Sequence, residues 1–143
     1  MTRQRGVAAV ELALILPLLL ILTFITTEFG RAMYEYNTLV KSARDAARYL
    51  SMQDPSIKTT DPARVTIARN LVVYGVPTPE TSDRPLAPGL TLENVPANGI
   101  TWNIEGTSPA INTVRITITN YQFTPLVTGA FGVALGSITF SDI

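Results

Sequence analysis

Three patterns in the sequence predict an α+β fold, in which a long helix first crosses a membrane, then turns amphipathic and packs on a small antiparallel sheet, with a second short helix beside it. The first is an apolar run from Val7 to Thr27 that holds one charge, Glu11. The second is a series of apolar or small residues three and four apart between Phe29 and Leu50. The third is an alternation of period two over the last third of the chain.

As a helix rising about 1.5 Å per residue, the run from Val7 to Thr27 would extend about 31 Å, which matches a hydrocarbon core of about 30 Å. It is long enough to span. Arg3 and Arg5 precede it without an acid, and positive flanks stay cytoplasmic, so the N-terminus is expected inside and everything after Thr27 outside. A removable secretory signal fits less well, because its apolar region is typically about 7 to 15 residues with a small-x-small cleavage site. Pro17 lies within the run and removes one backbone donor, so a kink or a local loosening is expected there.

Glu11 stands out energetically. A carboxyl inside a spanning helix costs about 3 kcal/mol unless it finds a partner or a polar depth. One explanation is an interfacial acid in the first turn, favoured by the helix dipole. The other joins Glu11 to its context: a short basic leader ends in Gly6, the apolar helix begins at Val7, and Glu11 is fifth in the chain that starts there.

At this point the sequence resembles type IV prepilins, and more closely the TadE-like minor pilins of tight-adherence systems. The resemblance is carried by Arg5-Gly6-Val7-Ala8-Ala9-Val10-Glu11, by Glu28-Phe29-Gly30-Arg31, by Tyr36-Asn37-Thr38-Leu39 and by Ala43-Arg44-Asp45-Ala46-Ala47-Arg48-Tyr49. Leu12 stands where an aromatic is usual. The resemblance implies a leader at 1–6 removed by a prepilin peptidase between Gly6 and Val7, a transmembrane helix at 7–27, and a pilin-like extracytoplasmic head at 28–143 that includes the helix continuation 28–53. It also implies that Glu11 pairs with the new Val7 amine of a neighbouring subunit. The partners it implies are other pilin-like subunits, inner-membrane pilus assembly proteins and the lipid bilayer. Arg3 and Arg5 would set the topology of a bacterial inner-membrane protein, single-pass, that can enter a pilus.

Composition narrows the alternatives. Formal net charge is zero and no basic tract exists outside the leader, which disfavours nucleic acid. The chain has neither Cys nor His, so it lacks a disulfide framework, a thiolate metal site and the commonest general base. No P-loop, Gly-x-Ser-x-Gly, His-Glu-x-x-His or Gly-x-Gly-x-x-Gly occurs, and neither an enzyme nor a cofactor is expected. The residues outside the membrane suffice for one modest domain.

From Glu28 to about Met52 the stripe Phe29, Ala32, Tyr36, Leu39, Ala43, Ala46 and Leu50 marks an amphipathic helix. Arg31 with Glu35, and Lys41 with Asp45, have helix-neighbour spacing. Asp54-Pro55 should break it. A second helix is expected from Asp61 as cap and Pro62 as first residue to a stop at Gly75, with Ile67, Leu71 and Tyr74 on one face and Arg64 and Arg69 toward solvent. Residues 76–89, with four prolines, read as a loop.

The period-two residues are Leu90 and Leu92; Ile100, Trp102 and Ile104; Val114, Ile116 and Ile118; and Ile138 and Phe140. They are expected to form strands of one sheet covered by the long helix, with a turn from Glu105-Gly106 through Pro109. The uncharged segment 123–136 is expected to hold a short helix after Pro125. It is either a connection buried beneath the sheet or an exposed apolar surface near the membrane or a partner. Two functions follow: a minor pilin or pseudopilin that assembles through its N-terminal helix, and a permanent single-pass scaffold or sensor of the envelope.

Overall fold

The computed structural model describes residues 3–53, 61–130, 133–134, 136–140 and 143, and of residues 3–5, 130 and 133 it describes the backbone alone. Met1 and Thr2 of the leader, and the break expected at Asp54-Pro55, lie outside the described residues. Helix α1 runs from Arg3 to Ser51, unbroken through Pro17. It is followed by α2 (Pro62–Tyr74), two short 3-10 turns at Leu92–Asn94 and Ala97–Gly99, and strands β1 (Ile100–Glu105), β2 (Ile111–Ile116), β3 (Tyr121–Phe123), β4 (Gly129–Ala130), β5 (Val133–Ala134) and β6 (Ile138–Phe140). The fold is α+β, as the three patterns predicted.

The chain forms two compact units. One comprises Met1–Tyr34 with Thr124–Ser137, and the other Glu35–Phe123 with Ile138–Ile143. We refer to them as the anchor unit and the head unit.

In the anchor unit the apolar run of α1 is helical and holds no buried residue among those described, with Pro17, Ile21 and Phe24 half-buried. Val7, Leu14, Leu18 and Leu22 are among its uncovered side chains. The three threonines near its end satisfy their hydroxyls within the helix: Thr23 donates to the Leu19 carbonyl at 2.8 Å, Thr26 to Leu22 at 2.8 Å and Thr27 to Thr23 at 2.9 Å. Such back-bonding removes the cost of placing a hydroxyl in an apolar medium. The segment from Thr124 on contains the two-residue ribbon β4–β5 and no helix after Pro125 among its described residues, which corrects that expectation. Gly129 supplies no side chain to hold a helical turn.

In the head unit, Leu39, Ala46 and Leu50 of α1 enter a core with Val65, Ala68, Val72 and Val73 of α2, and with Leu90, Val95, Ile100, Ile116, Ile118 and Tyr121. Of the predicted α1 stripe, Ala32, Leu39, Ala46 and Leu50 are buried and Ala43 is half-buried, but Tyr36 is 38% and Phe29 65% exposed. Helix α2 begins and ends at the predicted residues. Asp61 accepts from the Ala63 amide at 3.0 Å, and Gly75, at φ 76°, closes the last turn onto the Leu71 carbonyl at 3.1 Å. Its buried face is Val65, Ala68, Val72 and Val73, whereas Ile67, Leu71 and Tyr74 are half-buried. The helix is covered over a wider arc than one stripe implies.

Neither Arg64 nor Arg69 is turned freely to solvent. Arg64 pairs with Asp61 at 3.2 Å. Arg69 donates from Nε to the Val95 carbonyl and from Nη2 to the Leu92 carbonyl, both at 2.6 Å. An arginine fork can collect two carbonyls at once, and here it fixes the first 3-10 turn against α2. That turn replaces the strand expected at Leu90 and Leu92.

Strands β1 and β2 form an antiparallel hairpin in which Ile100 faces Ile116 and Trp102 faces Val114. Its connection is the predicted turn, with Gly106 at φ 82°. A Cβ there would stand 2.8 Å from the Pro109 carbonyl oxygen, so only glycine fits without a shift. β3 pairs with β6, Tyr121 facing Phe140, and the pairing resumes where Ile118 and Ile143 exchange amide hydrogen bonds of 3.0 and 3.3 Å. The strands thus form three two-stranded ribbons rather than the single sheet expected. In the β1–β2 hairpin burial is confined to the end at Ile100 and Ile116, while Ile104 and Ile111 at its far end are exposed.

Candidate functional site

The residues singled out in the sequence lie on the first turns of α1. Arg3 and Arg5 belong to the helix, but their side chains lie outside the described residues. Gly6 is helical and exposed, and a Cβ placed on it would meet nothing within 4 Å. The fold of this chain therefore makes no demand for glycine at that position. Val7 is exposed. Glu11 is exposed on the same helix, and no ion pair involving it occurs among the described residues.

A second constellation lies where the apolar run ends, at residues that local pattern alone does not join. Glu28, directly after Thr27, is only 8% exposed. Its Oε2 accepts from Arg31, from Nη2 at 3.0 Å and from Nε at 3.2 Å, and its Oε1 accepts the Leu126 amide at 3.2 Å. Arg31 Nη2 also donates to the Thr124 carbonyl. The pair is one helical turn apart, so the helix itself brings carboxylate and guanidinium together. Between them they satisfy a donor and an acceptor on either side of Pro125, a residue that offers no amide of its own.

Glu28 and Arg31 are thus a clamp for the backbone of Thr124–Leu126, 98 and 93 residues away in sequence. The only hint of it was the block Glu28-Phe29-Gly30-Arg31. Pro125 is buried, yet Leu126 is 80% exposed. Thr124, Thr128, Gly129, Ala134 and Gly136 are exposed as well, so the described residues of 123–136 do not form a connection buried beneath a sheet.

The head unit holds a second buried carboxylate. Glu35 is 4% exposed, and its Oε2 lies 2.7 Å from the Tyr121 hydroxyl, which is also 2.9 Å from the Pro88 carbonyl. One hydroxyl has one proton, and the charged acceptor makes the stronger bond. Tyr121 stacks on Phe140 with ring centroids 6.1 Å apart, and Phe140 meets Tyr36 at 5.6 Å. An open groove beside this cluster is lined by Val40, Arg44, Glu105, Val114, Arg115 and Ile143. Among the described residues no group of three or more His, Cys, Asp or Glu is placed to hold a metal ion.

Among the described residues one helix is long and apolar enough to cross a membrane, and no residue of its most apolar window is buried. The family model described as TadE-like protein matches residues 6–48. The match runs from the glycine before the apolar run, through Glu11 and the Glu28–Arg31 clamp, into the stripe that enters the head core. Comparison with curated proteins found no match, nor did comparison with solved structures.

Proposed function

From a chain whose residues 6–48 are TadE-like, we propose a minor pilin or pseudopilin that takes part in tight-adherence pilus assembly through its N-terminal helix. The observation that carries this reading is the family match, which joins Gly6, Val7 and Glu11 to an apolar helix whose most apolar window holds no buried residue among those described. A helix apolar all round needs lipid or other helices around it. Assembly by lateral packing requires no catalytic group.

In this reading a prepilin peptidase removes 1–6 on the cytoplasmic side, where Arg3 and Arg5 hold the leader. Gly6 costs a helix about 1 kcal/mol relative to alanine, so the chain unwinds there more readily than at its neighbours. The new Val7 amine of one subunit then meets Glu11 of the next, and each neutralises a charge that lipid penalises. Other pilin-like subunits and inner-membrane assembly proteins are the partners, and the head lies outside the cytoplasm.

The test is the intact mass of the protein from membranes with an active prepilin peptidase. Loss of Met1 to Gly6 is expected, with Gly6→Leu blocking it. In the same cells Glu11→Gln should insert normally but recover fewer assembly partners on purification. A mature N-terminus that remains Met1 would refute the pilin reading and favour a permanent single-pass anchor.

A further inference from the structure

We propose that the Thr124–Thr128 loop is a second membrane contact, with Leu126 entering the outer interfacial layer of the same bilayer that α1 spans. The proposal rests on the anchor reading of α1 and adds to it a surface from the far end of the sequence.

Position is the first argument. Glu28 follows the last residue of the apolar run, and its carboxylate holds the Leu126 amide at 3.2 Å while Arg31 holds the Thr124 carbonyl. A run of about 31 Å that fills a hydrocarbon core of about 30 Å puts Glu28 at its outer boundary. The clamp therefore fixes the loop at that boundary.

Surface chemistry is the second. Leu126 is 80% exposed and Phe29, next to the clamp, is 65% exposed. No charged residue occurs between Arg115 and Asp142. The exposed loop at 76–89 differs, since it carries Glu80, Asp83 and Arg84. Leu126 and Phe29 put two large uncovered apolar side chains at the clamp, and apolar surface grouped in this way marks interaction sites, membranes included.

The third argument concerns the charges at the same level. The Glu28 carboxylate is covered and paired with Arg31, so the clamp presents no bare acid to the lipid. The loop's amide and carbonyl on either side of Pro125 are bonded as well, which lowers the cost of moving them out of water.

The chain has no cysteine, which permits single-site labelling of the full-length protein. Leu126→Cys and Leu18→Cys would each carry an environment-sensitive fluorophore, in vesicles of phosphatidylethanolamine and phosphatidylglycerol. Quenchers would be nitroxide lipids labelled near the headgroup or deep in the chain, and aqueous iodide. Dye-conjugated N-acetylcysteine sets the aqueous limit. The label at Leu126 should be quenched several-fold more by the shallow lipid nitroxide than by the deep one, and several-fold less by iodide than the reference. That pattern should persist as protein is diluted in lipid. Iodide quenching at the aqueous limit for Leu126, with Leu18 quenched by the deep nitroxide, overturns the proposal and leaves the anchor intact. Absence of lipid quenching at Leu18 removes the anchor reading itself. Shielding of Leu126 that disappears on dilution assigns the surface to a second protein and overturns the lipid contact.

Discussion

The head unit covers Leu39, Ala46 and Leu50 of α1 within its own core, whereas the anchor unit leaves Leu14, Leu18 and Leu22 of the same helix bare. One continuous helix therefore follows two rules. From Val7 to Thr27 it is apolar on every side, and only its length is specified. From Leu39 to Leu50 it is striped, and Leu39, Ala46 and Leu50 enter a core shared with α2 and the strands. Single changes in the stripe should act on folding, and single changes in the bare half should act on what surrounds the chain.

Each half also carries a buried carboxylate that closes a long loop of sequence. Glu28 accepts a backbone amide 98 residues on, and Glu35 lies against a tyrosine hydroxyl 86 residues on. Glu28 meets the guanidinium of Arg31 one turn away, and Glu35 meets the hydroxyl of Tyr121, whose ring stacks on Phe140.

The largest expected effect tests the two rules directly. Leu39 is completely buried, and Leu39→Ala should destabilise the head by about 2 to 5 kcal/mol through lost burial and the cavity left behind. Leu18→Ala should leave head stability unchanged. Thermal melts of both variants in detergent, followed by the single tryptophan Trp102 of β1, measure this. Equal losses would mean that the halves of α1 are not energetically distinct.

Next in size is the contact of Tyr121 with Glu35. Tyr121→Phe keeps the ring stacked but removes the hydroxyl, leaving a buried Glu35 oxygen without that donor. The head should lose about 1 to 3 kcal/mol. Denaturant unfolding followed at Trp102 gives the value, and a variant as stable as the parent would show that other groups satisfy Glu35 without the hydroxyl.

Features set by neighbours in sequence were legible from the sequence. The cap Asp61-Pro62, the stop at Gly75, the turn at Gly106 and the helical stripe all depend on residues a few positions apart. Features that depend on distant backbone were not. Arg69 reads as a surface cation because nothing nearby shows that its fork will reach the carbonyls of Leu92 and Val95. Leu90 and Leu92 form too short an alternation to separate a strand from a 3-10 turn. The Glu28–Arg31 clamp was visible only as a motif without a partner, since the amide and carbonyl it holds belong to a segment whose side chains carry no charge to announce it.

The smallest effect comes from a wholly local device, the cap of α2. Asp61 uses its two oxygens separately: Oδ1 accepts the Ala63 amide at 3.0 Å, and Oδ2 pairs with Arg64 Nε at 3.2 Å. Asp61→Ala removes both and should cost about 1 kcal/mol, the usual worth of a side-chain cap. Asp61→Asn retains an acceptor for the Ala63 amide and loses mainly the ion pair. That pair is partly open to water, and such pairs contribute about 0 to 1 kcal/mol. Asn should therefore lie closer to the parent than to Ala. Denaturant midpoints for the three proteins, read at Trp102, decide it. If Asn falls as far as Ala, the charge on Asp61 outweighs the hydrogen bond to Ala63, and the start of α2 depends on the Arg64 pair rather than on its cap.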